Sequence, residues 1–247
     1  MHWDVVWNNM EYFLLGQYPV GPVGGLALSI ILAVGGIFFA FWIGLVFGLM
    51  RLSKRWYVRI PSIVYIEIIR GTPLLLLIFW FYFLAPILLK RPMPEARSTL
   101  AAFSVFTGAY VAEIVRAGIQ SIPKGQMEAA RSSGLTYVQA MSSVVLPQAL
   151  RNMIPSFVNQ FVSLTKDTSL AFIIGVLELT RAATQVNNRT MNAPAEIFFT
   201  IAVIYFIICF GLTQTSRYLE KKLSYRTSGR IRREEIELLE DSFEAPN

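Results

Sequence analysis

Apolar positions fall into long blocks along this chain. Between Tyr12 and Met50 there is no Asp, Glu, Lys or Arg. About 20 apolar residues at 1.5 Å each cross a hydrocarbon layer of roughly 30 Å, so such a block reads as a membrane-spanning helix. Five spans are predicted, at about 26–50, 61–89, 99–120, 150–170 and 197–215. The fourth is the least clean, because Lys166 and Asp167 lie inside it. Ahead of the first span, residues 3–17 mix Trp3, Trp7, Tyr12 and Phe13 with polar residues, the pattern of a short helix lying in the membrane interface. Pro19, Gly21, Pro22, Gly24 and Gly25 then break it. Residues 176–196 are mixed and read as a loop with a short surface helix. No internal repeat divides the chain into matched halves.

Composition agrees. Hydrophobic residues make up 54% of the 247, and charged residues only 15%, against about 25% in an ordinary soluble domain. The net charge of +6 would suit a nucleic-acid partner, but its distribution fits a membrane better. The 51–60 loop, the 121–151 segment and the 217–233 tail hold fourteen Lys and Arg, and the opposite side holds five. Basic residues gather on the cytoplasmic side, so the N-terminus is expected outside and the C-terminus in the cytoplasm. Lys90, Arg91 and Arg97 run against this orientation. The start, Met1-His2-Trp3-Asp4, lacks the basic region of a signal peptide, so the first span is expected to act as its own targeting signal.

Several enzyme classes are excluded. His2 is the one histidine, and Cys209, the one cysteine, lies in an apolar run. They offer no metal cluster, no Cys/His dyad and no intrachain disulfide. No Gly-x4-Gly-Lys-Ser/Thr loop is present to cradle a nucleotide phosphate. If ATP drives this protein, another polypeptide hydrolyses it.

Residues 121–147 form the longest polar stretch between spans. Gln126 to Ser133 are good helix formers. Gly134 can take the left-handed conformation that ends a helix, and Thr136 can cap a second helix that Pro147 ends. Glu128-Ala129-Ala130, Gly134 and Leu146-Pro147 resemble in type and spacing the Glu-Ala-Ala loop of ABC importer permeases. Glu67-Ile-Ile-Arg-Gly-Thr-Pro73, Ala112-Glu113-Ile-Val-Arg116, Lys124-Gly125-Gln126 and Lys166-Asp167-Thr168-Ser169-Leu170 look like the polar-amino-acid branch of that family.

The resemblance covers roughly residues 24–217. It implies an all-α integral membrane protein, a transmembrane domain over 24–217 with a coupling loop at about 121–147, flanked by an interfacial segment at 1–23 and a cytoplasmic tail at 218–247. It further implies a second permease, identical or paralogous, an extracytoplasmic binding protein, and two ATPase subunits that carry the ATP and Mg²⁺. This chain would hold no cofactor, and Glu128, Ala129, Ala130, Gly134 and Leu135 would dock on an ATPase subunit. An ATPase-independent secondary carrier is the main rival, and the docking loop argues against it. The tail after Arg217 turns acidic from Glu234 and reads as solvated.

Ionisable residues inside spans are costly and point to function. Glu67 and Arg70 are helix neighbours three apart, as are Glu113 and Arg116, at similar depth in the cytoplasmic half. Mutual neutralisation that fixes helix packing is the favoured role, with direct substrate contact the alternative. Lys166 and Asp167 lie about 16 residues into span four, roughly 24 Å along a helix and past mid-membrane. Thr168 and Ser169 compete for backbone hydrogen bonds there, which fits a broken helix facing a polar cavity. These four, with Glu67 and Thr72, are the candidate substrate pathway, since Lys and Asp complement an amino acid's carboxylate and ammonium. The alternative for Lys166 and Asp167 is pairing with other helices or capping a helix end.

Overall fold

A computed structural model describes residues 2–218 of the chain. The tail from 219 onward, including the acidic run that begins at Glu234, lies outside the described residues. Every regular element among the described residues is helical. They are α1 (Trp3–Asn8), α2 (Met10–Leu15), α3 (Gly25–Arg51), α4 (Trp56–Gly71), α5 (Leu74–Leu89), α6 (Glu95–Gln120), α7 (Lys124–Ser132), α8 (Tyr137–Ala140), α9 (Leu146–Asp167), α10 (Leu179–Thr190) and α11 (Pro194–Tyr218).

Three of these, α3, α6 and α11, are long and apolar enough to cross a membrane. The predicted second span is not one helix. It divides into α4 and α5, which meet at 106°. Pro73 causes the break: it offers no N–H to continue the helix, and it forces the residue before it into extended backbone. Thr72 accordingly sits at φ −103°, ψ 133°.

The fourth predicted span also differs. Pro147 does not end a helix. A π-helical turn, Met141–Val145, joins α8 to α9, and Pro147, the second residue of α9, follows directly on it, where the widened turn accommodates a proline without ending the helix. The helix therefore runs from Tyr137 to Asp167 and then tightens into a 3₁₀ turn, Thr168–Ile174, which ends at left-handed Gly175.

α3 packs along α6, and this contact centres the molecule. Gly36, Ala40, Gly44 and Gly48 recur every four residues and form one buried ridge of α3. Small residues at that spacing let two backbones approach closely. A Cβ on Gly48 would lie 2.7 Å from the Ala112 carbonyl oxygen, and one on Gly108 would lie 2.8 Å from Ile43 Cγ2. α9 completes the centre, with Met153 buried against Val111 and Val115 of α6.

The N-terminal segment is helical, as its pattern predicts, but it is not an isolated surface element. Val5, Val6 and Phe13 are buried against Leu179, Ala182, Val186 and Ile197 of α10 and α11. Trp7 remains exposed. Glu178 caps α10, accepting from the Thr180 and Arg181 N–H groups at 2.8 Å, while the Tyr205 hydroxyl of α11 donates to it at 3.1 Å.

The ridge sets a stability test. Overpacking a close contact costs about 1–3 kcal/mol, so Gly48→Ala should lower the thermal midpoint of the detergent-purified protein by several degrees. Gly211→Ala, where a Cβ meets nothing within 4 Å, should leave the midpoint unchanged or slightly raised.

Candidate functional site

The intramembrane charges form one cluster rather than two self-neutralised pairs. Glu113 is its hub. Arg116 Nη2 lies 3.0 Å from Glu113 Oε2, Arg51 Nη1 lies 2.9 Å from Oε1, and Arg70 Nη1 lies 3.9 Å from Oε2. The Glu113–Arg116 neighbours do pair, but Glu67 pairs with Arg51 at 3.1 Å and not with Arg70. Arg70 instead lies over the Tyr110 ring, 5.3 Å from its centroid. Arg51 reads from sequence as a loop cation; it is the last residue of α3, where the helix's negative end favours a positive charge. From there it reaches both α4 and α6. No sequence signal beyond its adjacency to the apolar block marked it.

Beside the cluster, α6 and α9 bound an open cavity of about 560 Å³, lined by Arg70, Tyr110, Glu113, Arg116, Asn152 and Gln160 among others. The α9 wall is polar for a periodic reason. Asn152, Ser156, Asn159 and Ser163 are all exposed, and at 3.6 residues per turn they share one face. The exposed face of α3 is the opposite in chemistry: Ile30, Ile31, Val34, Phe38, Phe39, Trp42 and Val46. The polar repeat at 152–163 was available in the sequence as a helical period.

Lys166 and Asp167 flank this polar face. Lys166 is exposed and lines a second groove, about 350 Å³, with Tyr205, Cys209 and Gln214 of α11. Asp167 is half-buried at the end of α9. The two hydroxyls beside them are partly committed. Thr168 is fully buried and donates to the Thr165 carbonyl at 2.7 Å, and Ser169 donates to the Lys166 carbonyl at 2.8 Å. Thr72 donates to the Ile68 carbonyl at 2.8 Å, at the α4–α5 break. Glu67 and Thr72 therefore lie with the charge cluster and the break, on elements other than the one carrying Lys166 and Asp167.

The 121–147 segment projects. Glu128 and Ala129 on α7 are exposed, and Ala130 is buried. Gly134 has φ +87°, a conformation that disfavours any side chain by about 1–2 kcal/mol, and open space surrounds it. Thr136 and Gln139 form a reciprocal cap that starts α8. Leu135 is half-buried, and Tyr137 and Val138 beyond it are 51% and 73% exposed. The bend thus leaves an acidic residue, small residues and two apolar side chains exposed.

Residues 36–225 match the family described as the binding-protein-dependent transport system inner membrane component. The chain is 38% identical over 226 residues to the inner membrane amino-acid ABC transporter permease protein YhdY of Escherichia coli (strain K12), spanning 89% of this chain and 62% of that protein. It is 41% identical over 228 residues to the L-cystine transport system permease protein TcyB of Bacillus subtilis (strain 168), spanning 87% of this chain and 96% of TcyB. A crystal structure of an amino acid ABC transporter with histidines superposes with a TM-score of 0.74 at 33% identity, covering 80% of this chain and 92% of that one. The chain belongs to this family of inner membrane transport components, as a permease subunit of an ABC importer.

The hub arrangement sets the second test. Glu113 has an 18% exposed side chain among three arginines, whereas Glu67 is 60% exposed with one partner. Removing the shared carboxylate leaves several cations facing one another. Glu113→Gln should therefore lower the thermal midpoint markedly, and Glu67→Gln should change it little, as expected for an exposed pair.

Proposed function

We propose that this permease subunit carries a polar or charged amino acid into the cytoplasm by alternating access, driven by ATP hydrolysis on two separate ATPase subunits. The observation that carries the reading is the contrast between exposed helix faces. α3 turns apolar residues outward, as lipid requires, while α9 turns outward Asn152, Ser156, Asn159 and Ser163. A polar face at that depth is tolerated only against protein or water. The α9 face is then the wall of a translocation path that a second permease, identical or paralogous, closes from the other side.

In this reading the chain crosses the bacterial cytoplasmic membrane five times, as α3, the bent α4–α5 pair, α6, α9 and α11, with the N-terminus outside. Transported solute arrives from an extracytoplasmic binding protein. Asp167 receives the substrate's ammonium, and Lys166 lies near enough in sequence to meet its carboxylate; the Ser169 hydroxyl, whose one proton goes to the Lys166 carbonyl, does not take part. α7, Gly134 and Leu135 dock in a groove of the ATPase subunit, which holds ATP and Mg²⁺. Amino-acid names among the relatives, YhdY and TcyB included, support the substrate class.

Reconstitution of the permease with its ATPase and binding-protein partners tests this. Uptake should require ATP. Asp167→Asn should lower it about tenfold, the worth of one charge-assisted hydrogen bond, while complex assembly and basal ATP hydrolysis persist. Gly134→Leu should instead abolish coupling, with membrane insertion intact. ATP-independent uptake would contradict the proposal, and collapse of assembly in Asp167→Asn would make that residue a structural counter-ion.

A further inference from the structure

The cluster around Glu113 carries more positive than negative charge: Arg51, Arg70 and Arg116 face only Glu67 and Glu113. The excess is localised. Arg51 donates from Nη2 to Glu67 and holds Nη1 buried 2.9 Å from Glu113, closed off from the cavity, and Arg116 donates to Glu113 and to the Gln120 amide oxygen at 2.6 Å. Arg70 donates no hydrogen bond among the described residues. Its guanidinium is held over Tyr110 and stands 3.9 Å from Glu113, with a 40% exposed side chain. It opens into the 560 Å³ cavity, whose other wall is Asn152, Ser156 and Gln160. A pre-oriented guanidinium with unused donors, in a cavity with polar walls, recognises a carboxylate by paired N–H···O bonds.

We propose that this cavity is a second binding station for the substrate's α-carboxylate, on the cytoplasmic side of the Asp167 region. The inference rests on the amino-acid reading above. Gln160 precedes Asp167 by seven residues, about 10 Å along α9, so a solute leaving Asp167 reaches Arg70 by following the polar face. Glu113 is already shared among three arginines, so it does not take up the ammonium. Recognition here depends on the carboxylate alone, with Asn152, Ser156 and Gln160 solvating the rest.

The test uses the assembled complex, in proteoliposomes for uptake and in nanodiscs for labelling. Uptake measured with each of the common L-amino acids first identifies a transported one; no transport by any of them would sink the amino-acid reading itself, and the station with it. Ser156→Cys in a Cys209→Ser background then reports occupancy of the cavity by maleimide alkylation. The transported amino acid should slow alkylation about tenfold, as a charge-assisted pair implies, and its α-amide should not. Arg70→Gln should remove the protection, Arg70→Lys should restore part of it, and Asp167→Asn should leave it in place. Equal protection by the α-amide, or none by the acid, would overturn the station. Loss of protection in Asp167→Asn would overturn it too, because the two regions would then be one site. If Arg70→Gln fails to assemble, the comparison of acid with α-amide decides alone.

Discussion

The contact between α3 and α6 is the constraint on which the remaining architecture depends. Gly36, Ala40, Gly44 and Gly48 leave one ridge of α3 almost without side chains, and at Gly44 and Gly48 backbone atoms of Ala112 on α6 lie within 2.9 Å of where a Cβ would stand. In a bilayer, lipid tails are as apolar as leucine, and association of helices depends on such packing rather than on hydrophobic exclusion. The same contact brings Arg51, at the end of α3, level with Glu113 on α6. It also fixes the surface against which Met153 of α9 is buried. Packing at the glycine ridge and the electrostatics of the hub are consequently one arrangement seen at two depths.

From that scaffold the outward faces diverge. α3 and α11 expose aromatic and branched residues, including Phe38, Trp42, Phe206 and Phe210. α9 exposes amides and hydroxyls and is less apolar than α3, α6 and α11. A helix that is polar outward cannot be the outer wall of a membrane protein, and it does not need to be if a second permease covers it. The break at Pro73 adds to this asymmetry, because it turns α5 away from the axis of α4 and leaves Arg70 next to the bend.

Much of this was legible in the sequence, and the parts that were not have physical reasons. The long apolar blocks gave α3, α6 and α11 to within a few residues, because charge-free runs of that length have few alternatives. The bend around Gly134 and its cap at Thr136 were readable from local chemistry, whereas Pro147 was read as ending a helix that in fact continues. Proline's effect depends on where the helix phase begins, and a π turn resets that phase without a residue signature. The 106° bend is hidden for a related reason: Pro73 sits in an apolar run that is continuous in hydropathy. The spacing held for Glu113 and Arg116 but not for Glu67 and Arg70, because i, i+3 spacing identifies neighbours on one helix, whereas Arg51 competes from another. The glycine ridge and the polar face of α9 were both present as periods in the sequence and are recognisable once the helix is given.

In the proposed translocation route α9 faces an aqueous path. Single cysteines placed in turn from Leu150 to Lys166, in a Cys209→Ser background, and labelled with a water-soluble maleimide in the assembled complex measure this directly. Labelling should rise and fall with the helical period, with maxima at Asn152, Ser156, Asn159 and Ser163. Uniform protection along α9, or maxima at Ile154, Phe157 and Phe161, would contradict it.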